Sequence, residues 1–377
     1  MCIDKKPLQV IQACDLQAGG ITTLILSICE QLDRRKVNFD YLVYRDQEEF
    51  GDSRVKALGG RKLIADNTGA PNKMMKFLWK FFRTWKVLKK EGADIFHMNV
   101  STPYDCLMGL AAKLAGMKIV ILHSHNSHLK KSGLGHQVFQ GICRSLLPVC
   151  GDYYFACSDL AGKFLYGKAL QKKVIYVKNG IHTEEFRFQD EVRKKMRKEY
   201  SLRDELIIGT VGRFCRQKNQ KFLLEIFAEI LSVCPSTRLL LIGQGELEEE
   251  LMAQAEDLGI LKSLIHIPST DKVKEFLCMM DVFLLPSLFE GLPVVGVEAQ
   301  ASGLPCLFSN RITKEVRLTD RAYFLALEHS AEEWARCTIS AAKKAREHRS
   351  GYADQVRAAG YDIKDIAEWL QEFYLSL

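Results

Sequence analysis

Two glutamates eight residues apart, Glu290 and Glu298, stand in the part of this 377-residue chain with the most chemical content. Residues 281–306 read as a strand ending at Pro286 and Ser287, a turn at Glu290 and Gly291, and a helix that Pro293 opens near its first turn. A helix amino terminus can hold an anion, and two carboxylates can take hydroxyls from opposite ends of a ligand. Sugar and ribose diols both present such paired donors. The same two residue types also suit a plain helix cap with one solvated glutamate.

Three further turns carry groups that could meet phosphate. Residues 209–219 leave an apolar strand and enter a helix, projecting Arg213 and Lys218 from the loop that begins at Gly212. A guanidinium can bond a diphosphate in bidentate fashion, and an ammonium can neutralise it as a point charge. A solvated basic loop would look the same. Near the amino terminus a strand runs into Gly19 and Gly20 and then a helix, a turn whose backbone N–H groups can face a phosphate or sugar. Gly243 and Gly245 resemble half of a dinucleotide fingerprint, but its third glycine is replaced by Glu248, with Glu249 and Glu250 following. These acids complement a helix start but repel a pyrophosphate, which weakens a nicotinamide-dinucleotide reading.

Short β-branched runs that alternate with amphipathic stretches must position these turns. Strands are predicted at 8–13, 39–44, 95–98, 118–123, 153–156 and 174–177, and again at 206–211, 238–242, 265–267, 282–285 and 305–308. A charged segment from about residue 186 separates the two series. Apolar strands alternating with helices imply an α/β chain with parallel sheets covered on both faces, in two Rossmann-like domains. Ligands are then expected at the carboxyl ends of the strands, in the cleft the two sheets face. The composition, 47% hydrophobic and 26% charged, excludes a disordered or fibrous protein. No apolar run is long enough to cross a bilayer, and the amino terminus lacks the pattern of a secretory signal. The twelve cysteines are scattered without any C-x-x-C pair and read as free thiols in a reducing cytoplasm. Residues 1–185 hold 27 Lys and Arg against 17 Asp and Glu, a balance of +10, and the remainder is −3, summing to the net +7. The basic half suits nucleic acid, an anionic membrane or a phosphorylated substrate, and charge alone does not choose.

The order of these segments resembles the retaining glycosyltransferases of family 4, which have the GT-B fold. The likeness runs from the Gly19-Gly20 turn through Asn179-Gly180-Ile181, the Arg213 to Asn219 loop and the Gly243 to Glu248 turn to the Glu290/Glu298 segment. Residues 285–310 are similar to members that build bacterial capsular and exopolysaccharides. The resemblance implies transfer of a hexosyl or N-acetylhexosaminyl group, with retention, from a nucleotide-diphosphate sugar (a UDP-sugar) to a carbohydrate acceptor linked to a polyprenyl diphosphate. It implies that residues 1–185 bind acceptor, 186–361 bind donor, and 362–377 form a helix packing back on the first domain. Arg213 and Lys218 would grip the donor diphosphate, Glu290 the donor sugar and Glu298 the nucleotide ribose. The backbone of Gly291, Leu292, Pro293 and Val294 would lie against sugar and phosphate, with Gly212, Gly19 and Gly20 also facing the donor. His125 matches the family's active-site histidine, with His123 and His128 nearby. No metal or other cofactor is implied, and no nucleic-acid partner. Two positions depart from the family: His182 stands where an aspartate is usual, and Pro268 and Ser269 replace a glycine in the base-binding loop.

Residues 72–90 predict an amphipathic helix. Lys73, Lys76, Lys80 and Arg83 fall on one arc, and Met74, Phe77, Leu78, Phe81, Phe82, Trp85 and Leu88 fall on the other. The apolar side is expected to pack on the first sheet, leaving the basic arc to attach the enzyme to the inner face of an anionic membrane. Three rivals share parts of this pattern: a sugar-nucleotide epimerase, a nicotinamide-dependent oxidoreductase and a non-catalytic sugar-nucleotide sensor.

Overall fold

A computed structural model of the chain describes residues 6–17, 19–126, 134–345 and 348–377. Two compact units emerge, residues 1–180 with 363–377, and residues 181–362. The division falls at Gly180 rather than at 185, and the C-terminal helix Ile363–Ser376 belongs to the first unit.

The first unit contains β1 (Leu8–Ala13), β2 (Val37–Val43), β3 (Lys62–Ile64), β4 (Ile95–Val100), β5 (Ile119–Ser124), β6 (Tyr153–Ala156) and β7 (Val174–Tyr176), in the order β3-β2-β1-β4-β5-β6-β7. The second contains β8 (Leu206–Val211), β9 (Thr237–Ile242), β10 (Leu264–Ile267), β11 (Val282–Leu285), β12 (Cys306–Ser309) and β13 (Ala322–Leu325), in the order β10-β9-β8-β11-β12-β13. Every described strand pair is parallel. The sequence patterning missed β3 and β13. Both are edge strands, of three and four residues, and each buries a single side chain.

The strand order reverses direction between β1 and β4 in the first unit and between β8 and β11 in the second. Loops leaving the carboxyl ends of such neighbours diverge to opposite faces and open a crevice between them. Gly19, Gly20, Arg213, Lys218 and Glu290 all lie on loops or helix starts that follow one of these four strands.

Period-2 alternation assigns each strand residue of the first sheet to a face. Ile11, Phe96, Met98, Val120, Leu122 and Tyr154 share one buried cluster, against which Phe77 and Phe81 of the helix Lys73–Glu91 pack. Val10, Ile95, Ile121 and Phe155 join the opposite cluster with Ile25 and Ile28 of the helix Gly20–Gln31 and with Ile363, Ile366, Leu370 and Tyr374. The final helix is therefore structural roof over the first sheet, although nearly two hundred residues separate it from β7. Leu370→Ala should destabilise the first unit by ~2–5 kcal/mol, because it empties a buried site in that cluster. Urea unfolding checks this: the transition of the first unit should move to lower denaturant while that of the second stays in place.

Candidate active site

In the second unit, β8 and β11 are neighbours, with Ile208 opposite Val282 and Gly209 opposite Phe283. The loops that follow them are bonded to each other. Leu288 N donates to Gln217 O (2.8 Å), Gln217 Nε2 to Phe289 O (3.0 Å), and Asn219 Nδ2 to Pro286 O (3.1 Å). Into this platform are set the two groups of opposite charge. Lys218 Nζ lies 2.6 Å from Glu290 Oε1, with side chains only 18% and 10% exposed. Ser287 Oγ donates to the same oxygen (3.0 Å), and Gln217 Nε2 donates to Glu290 Oε2 (3.1 Å). A carboxylate held by three donors keeps one rotamer, so Glu290 is preorganised.

Arg213 does not join this cluster. Its side chain is 73% exposed and pairs with Glu246 at 3.0 Å. The loop thus holds Lys218 inward and Arg213 outward. The turn with the two glycines is explained by packing. Gly243 has φ 140°, and a Cβ there would sit 2.1 Å from Gly212 O, while a Cβ on Gly245 would sit 2.3 Å from Phe214 O. These glycines admit the neighbouring backbone, and no pyrophosphate is needed to account for them.

Pro293 caps the helix Val294–Ala301. Glu298 lies in its second turn, and burial alone pushes its carboxyl up to about 7. Among the described residues no cation pairs with it. Gly291, Leu292, Pro293 and Val294 form the approach to this helix, directly after Glu290. Lys218, Glu290 and Glu298 thus belong to two adjoining loops and one helix of the same unit.

In the first unit, Gly19 precedes the helix Gly20–Gln31, with Thr22 Oγ1 donating to Asp15 O (2.8 Å). A hollow of about 330 Å³ at the β1/β4 reversal is lined by residues including Asp15, Gly19, Gly20, Asn99, Lys80 and Asp105. A second, of about 540 Å³, is lined by Asp15, Tyr44, Lys80 and Asp105 together with Met74, Phe77, Tyr104 and Phe139. His125 follows β5, and its Nε2 lies 2.9 Å from Asn99 Oδ1, a wall residue of the smaller hollow. Burial lowers the His125 imidazole to about 4.

The helix Lys73–Glu91 corrects the expected basic arc. Lys80 points inward, 2.7 Å from Asp105 Oδ1 and 4.2 Å from the centre of the Tyr44 ring. Burial works to lower its pKa, but attraction to Asp105 outweighs this and holds it above the ordinary lysine value. The reason is Asp105, a buried carboxylate that needs a counter-charge. Arg83 is drawn to Asp66 and lies 4.8 Å from the Trp79 ring centre, and Lys76 is exposed. The Lys73 side chain and His128 lie outside the described residues. Met74, Leu78 and Phe82, expected to pack inward, face outward in a row, because Phe77, Phe81 and Leu88 fill the contact with the sheet.

Among the described residues no group of three His, Cys, Asp or Glu side chains could hold a metal ion. The match to family models spans nearly the whole chain: residues 18–185 match the glycosyltransferase family 4 model and residues 192–357 the glycosyl transferases group 1 model. A Bacillus subtilis protein named glycosyltransferase EpsF is 32% identical over 98% of this chain and 96% of its own length. The chain belongs to the family 4 glycosyltransferases. An Escherichia coli relative, named as a UDP-Gal:α-D-GlcNAc-diphosphoundecaprenol α-1,3-galactosyltransferase, is 30% identical over 63% of this glycosyltransferase and 63% of itself. Anabaena HepE, solved in complex with UDP, superposes with a TM-score of 0.80 at 14% identity, covering 98% of this chain and 100% of HepE. WaaG, a glycosyltransferase involved in lipopolysaccharide biosynthesis, gives 0.67 at 15% identity, covering 97% and 99%. The fold is GT-B.

Sequence reasoning missed Ser287 and Gln217, which hold Glu290, and it missed Asp105. It also missed Gln12, His97, Asn99 and Tyr374, which join His123 and His125 in one buried hydrogen-bonded set. A signal existed: polar residues at alternate positions of otherwise apolar strands of a sheet covered on both faces.

Glu298 gives this glycosyltransferase a pH signature. Its carboxyl titrates at about 7 in the folded chain against 4.5 ordinarily. The stabilising contribution of the neutral form is complete below 4.5 and is lost as pH rises to about 7, by ~3 kcal/mol. Glu298→Gln should therefore melt progressively higher than wild type between pH 5 and 8. Parallel melting curves across that range would rule out a buried, unpaired carboxyl.

Proposed function

We propose that this glycosyltransferase takes a sugar from a nucleoside-diphosphate donor, a UDP-sugar, held by the second unit, and passes it to a lipid-diphosphate-linked carbohydrate held by the first, in the synthesis of a surface polysaccharide. The observation that carries the donor half is the Lys218–Glu290 cluster at the β8/β11 reversal, followed by the half-buried Glu298. Lys218 is placed to meet the diphosphate, and Glu290 can exchange its internal bonds for sugar hydroxyls. A ribose diol would supply the hydrogen bonds that Glu298 lacks. Arg213, exposed on its loop, would leave Glu246 for the diphosphate when the donor binds. The bond from C1 of the sugar to the β-phosphate oxygen breaks as that from C1 to the acceptor oxygen forms on the same face, and the acceptor proton passes to the departing phosphate. Lys218 and Arg213 would stabilise the charge that grows on that phosphate.

The acceptor half rests on the paired hollows of the first unit. One has the polar residues Asp15, Thr22 and Asn99 among its walls beside Ile21 and Met98, the other has Met74, Phe77, Tyr104 and Phe139, and the Lys80–Asp105 pair belongs to both. This combination suits a sugar diphosphate with an apolar tail. The Escherichia coli relative's named acceptor is of that class, and HepE is solved with UDP.

A thermal-shift screen against UDP-, GDP- and ADP-sugars tests the donor, since a ligand specific for the folded form raises the melting temperature. Lys218→Ala should lower turnover about a hundredfold, the effect of removing one charge-stabilising donor. Glu298→Ala should chiefly weaken UDP binding, and Glu290→Ala should chiefly lower the rate while free UDP binds almost as before. Equal loss of UDP affinity in both glutamate variants would contradict this division.

Attachment to an anionic bilayer fits such an acceptor. Met74, Leu78 and Phe82 are exposed along one helix, with Lys76, Lys86 and Lys89 exposed beside them. Phe139 meets Phe77 edge to face at 6.1 Å, bringing in the helix Leu134–Ser145, whose Val138 and Ile142 are also exposed. Apolar groups ringed by lysines match the chemistry of a negatively charged interface. In liposome sedimentation the wild type should pellet with anionic vesicles at low salt and Phe82→Glu/Ile142→Glu should remain in the supernatant. Recovery of both proteins in the supernatant would exclude this attachment.

A further inference from the structure

Gln12, His97, Asn99, His123 and His125 occupy one face of the first sheet at its carboxyl edge. Gln12 is the register partner of His97, and Asn99 that of His123. His97 and Asn99 are two positions apart, as are His123 and His125, so all five project to the same side. That side is roofed by the helix Ile363–Ser376, and Tyr374 reaches down from it with 1% of its surface exposed.

The direction of every hydrogen bond in this set follows from one backbone carbonyl. Ala13 O can only accept, and Asn99 Nδ2 lies 3.3 Å from it, so the Asn99 amide is oriented with its oxygen toward His125. His125 Nε2, 2.9 Å from that oxygen, must carry the proton. Its Nδ1 is then a bare acceptor, buried without a partner among the described residues. In the other direction Asn99 Nδ2 donates to Gln12 Oε1 (3.1 Å), which turns Gln12 Nε2 toward Tyr374, to whose hydroxyl it donates (3.2 Å). The phenol oxygen has accepted, so its hydrogen goes to His97 Nδ1 at 2.6 Å. His97 must then bear its proton on Nε2 and donate to His123 Nδ1 at 3.2 Å. His123 ends the chain with an Nε2–H that also lacks a partner. The His123 and His125 rings lie 4.0 Å apart, one offering a donor and the other an acceptor. Burial keeps all three imidazoles neutral at neutral pH, with His97 lowered to about 3 and His125 to about 4.

The hollow enclosed by these residues is only about 10 Å³, room for at most one water, so no substrate enters between them. The set orders protons. We propose that Tyr374, on the C-terminal helix, is a positioning residue for sugar transfer that fixes the tautomers of His97 and His123, and with them the proton that His123 holds beside His125, whose own tautomer Asn99 and Ala13 set. The role in transfer rests on the reading of His125 as an active-site group, and the tautomers do not.

Ring-nitrogen NMR on the full chain labelled with 15N-histidine tests the chain of bonds without any ligand. At pH 7.5 His125, His97 and His123 should each show a protonated Nε2 and an unprotonated Nδ1. Tyr374→Phe keeps the ring that packs edge-on to Phe39 and His97, both at 6.0 Å, and removes only the hydroxyl. It should bring His97 and His123 into tautomer exchange while His125, held by Asn99 and Ala13, keeps its proton on Nε2. Gln12→Met removes the donor that turns the Tyr374 hydroxyl toward His97 and should also loosen the His97 and His123 tautomers while His125 keeps its proton on Nε2. With the sugar nucleotide selected by thermal shift, kcat should fall about tenfold or more in both variants with the donor KM little changed, as expected for misplacement of a reacting group. A protonated Nδ1 on wild-type His125, or ring resonances unmoved in both variants, would overturn the proposal. Unchanged kcat in folded Tyr374→Phe, with His125→Ala inactive, would overturn the positioning role while leaving His125 at the site. Full activity of His125→Ala would overturn that role together with the reading of His125, whatever the resonances show.

Discussion

The parallel register of β8 against β11 is the constraint on which the donor half depends. These strands are adjacent in the sheet but separated in sequence by the helix-strand pairs that build the β9 and β10 side. Because they meet at the reversal of strand order, no connection crosses over their carboxyl ends. Their two loops are free to bond to each other, and they do so through Gln217 and Asn219. Only with those loops joined does Lys218 come within 2.6 Å of Glu290, although the two are 72 positions apart in sequence. A shift of one residue in the register would turn the strand faces over and move the loops out of reach.

The same topology in the first unit has a different filling. There the strand ends carry uncharged polar side chains on a face that would otherwise be apolar, and the sheet is covered on both sides. Such groups are tolerable in a core only when each finds a partner, and a set that is almost fully satisfied becomes rigid. This explains why the chain returns after residue 362 to roof the first sheet. The helix contributes Leu370 and Ile366 to the apolar cluster and a single hydroxyl, that of Tyr374, to the polar one. Stability of the first unit and order at its strand ends are therefore tied to one element.

Charge in this protein is mostly paired locally. Lys80 meets Asp105, Lys218 meets Glu290, and Arg213 meets Glu246. Glu298 has no counter-charge among the described residues, and partial burial raises the affinity of its carboxyl for a proton. An unpaired group of this kind beside a paired cluster is characteristic of sites that await a ligand.

The sequence by itself determined the α/β class, the two sheets, the loops that carry Arg213, Lys218 and Glu290, and the family. Strand and helix periods are local properties, and glycine turns after apolar runs are legible without knowing what packs against them. The edge strands β3 and β13 were not legible, whereas β7 and β10, also at edges, were. The facing of the helix Lys73–Glu91 was not legible either. Its wheel shows a basic arc, but the buried carboxylate of Asp105 drew Lys80 inward, and the sheet had room for Phe77, Phe81 and Leu88 but not for Met74, Leu78 and Phe82. Tyr374 beside His97, 277 residues away, is beyond any local pattern. Tertiary structure decided these points because pairing and burial depend on which distant residue arrives at the same place, and a chain read in order contains spacing but not proximity.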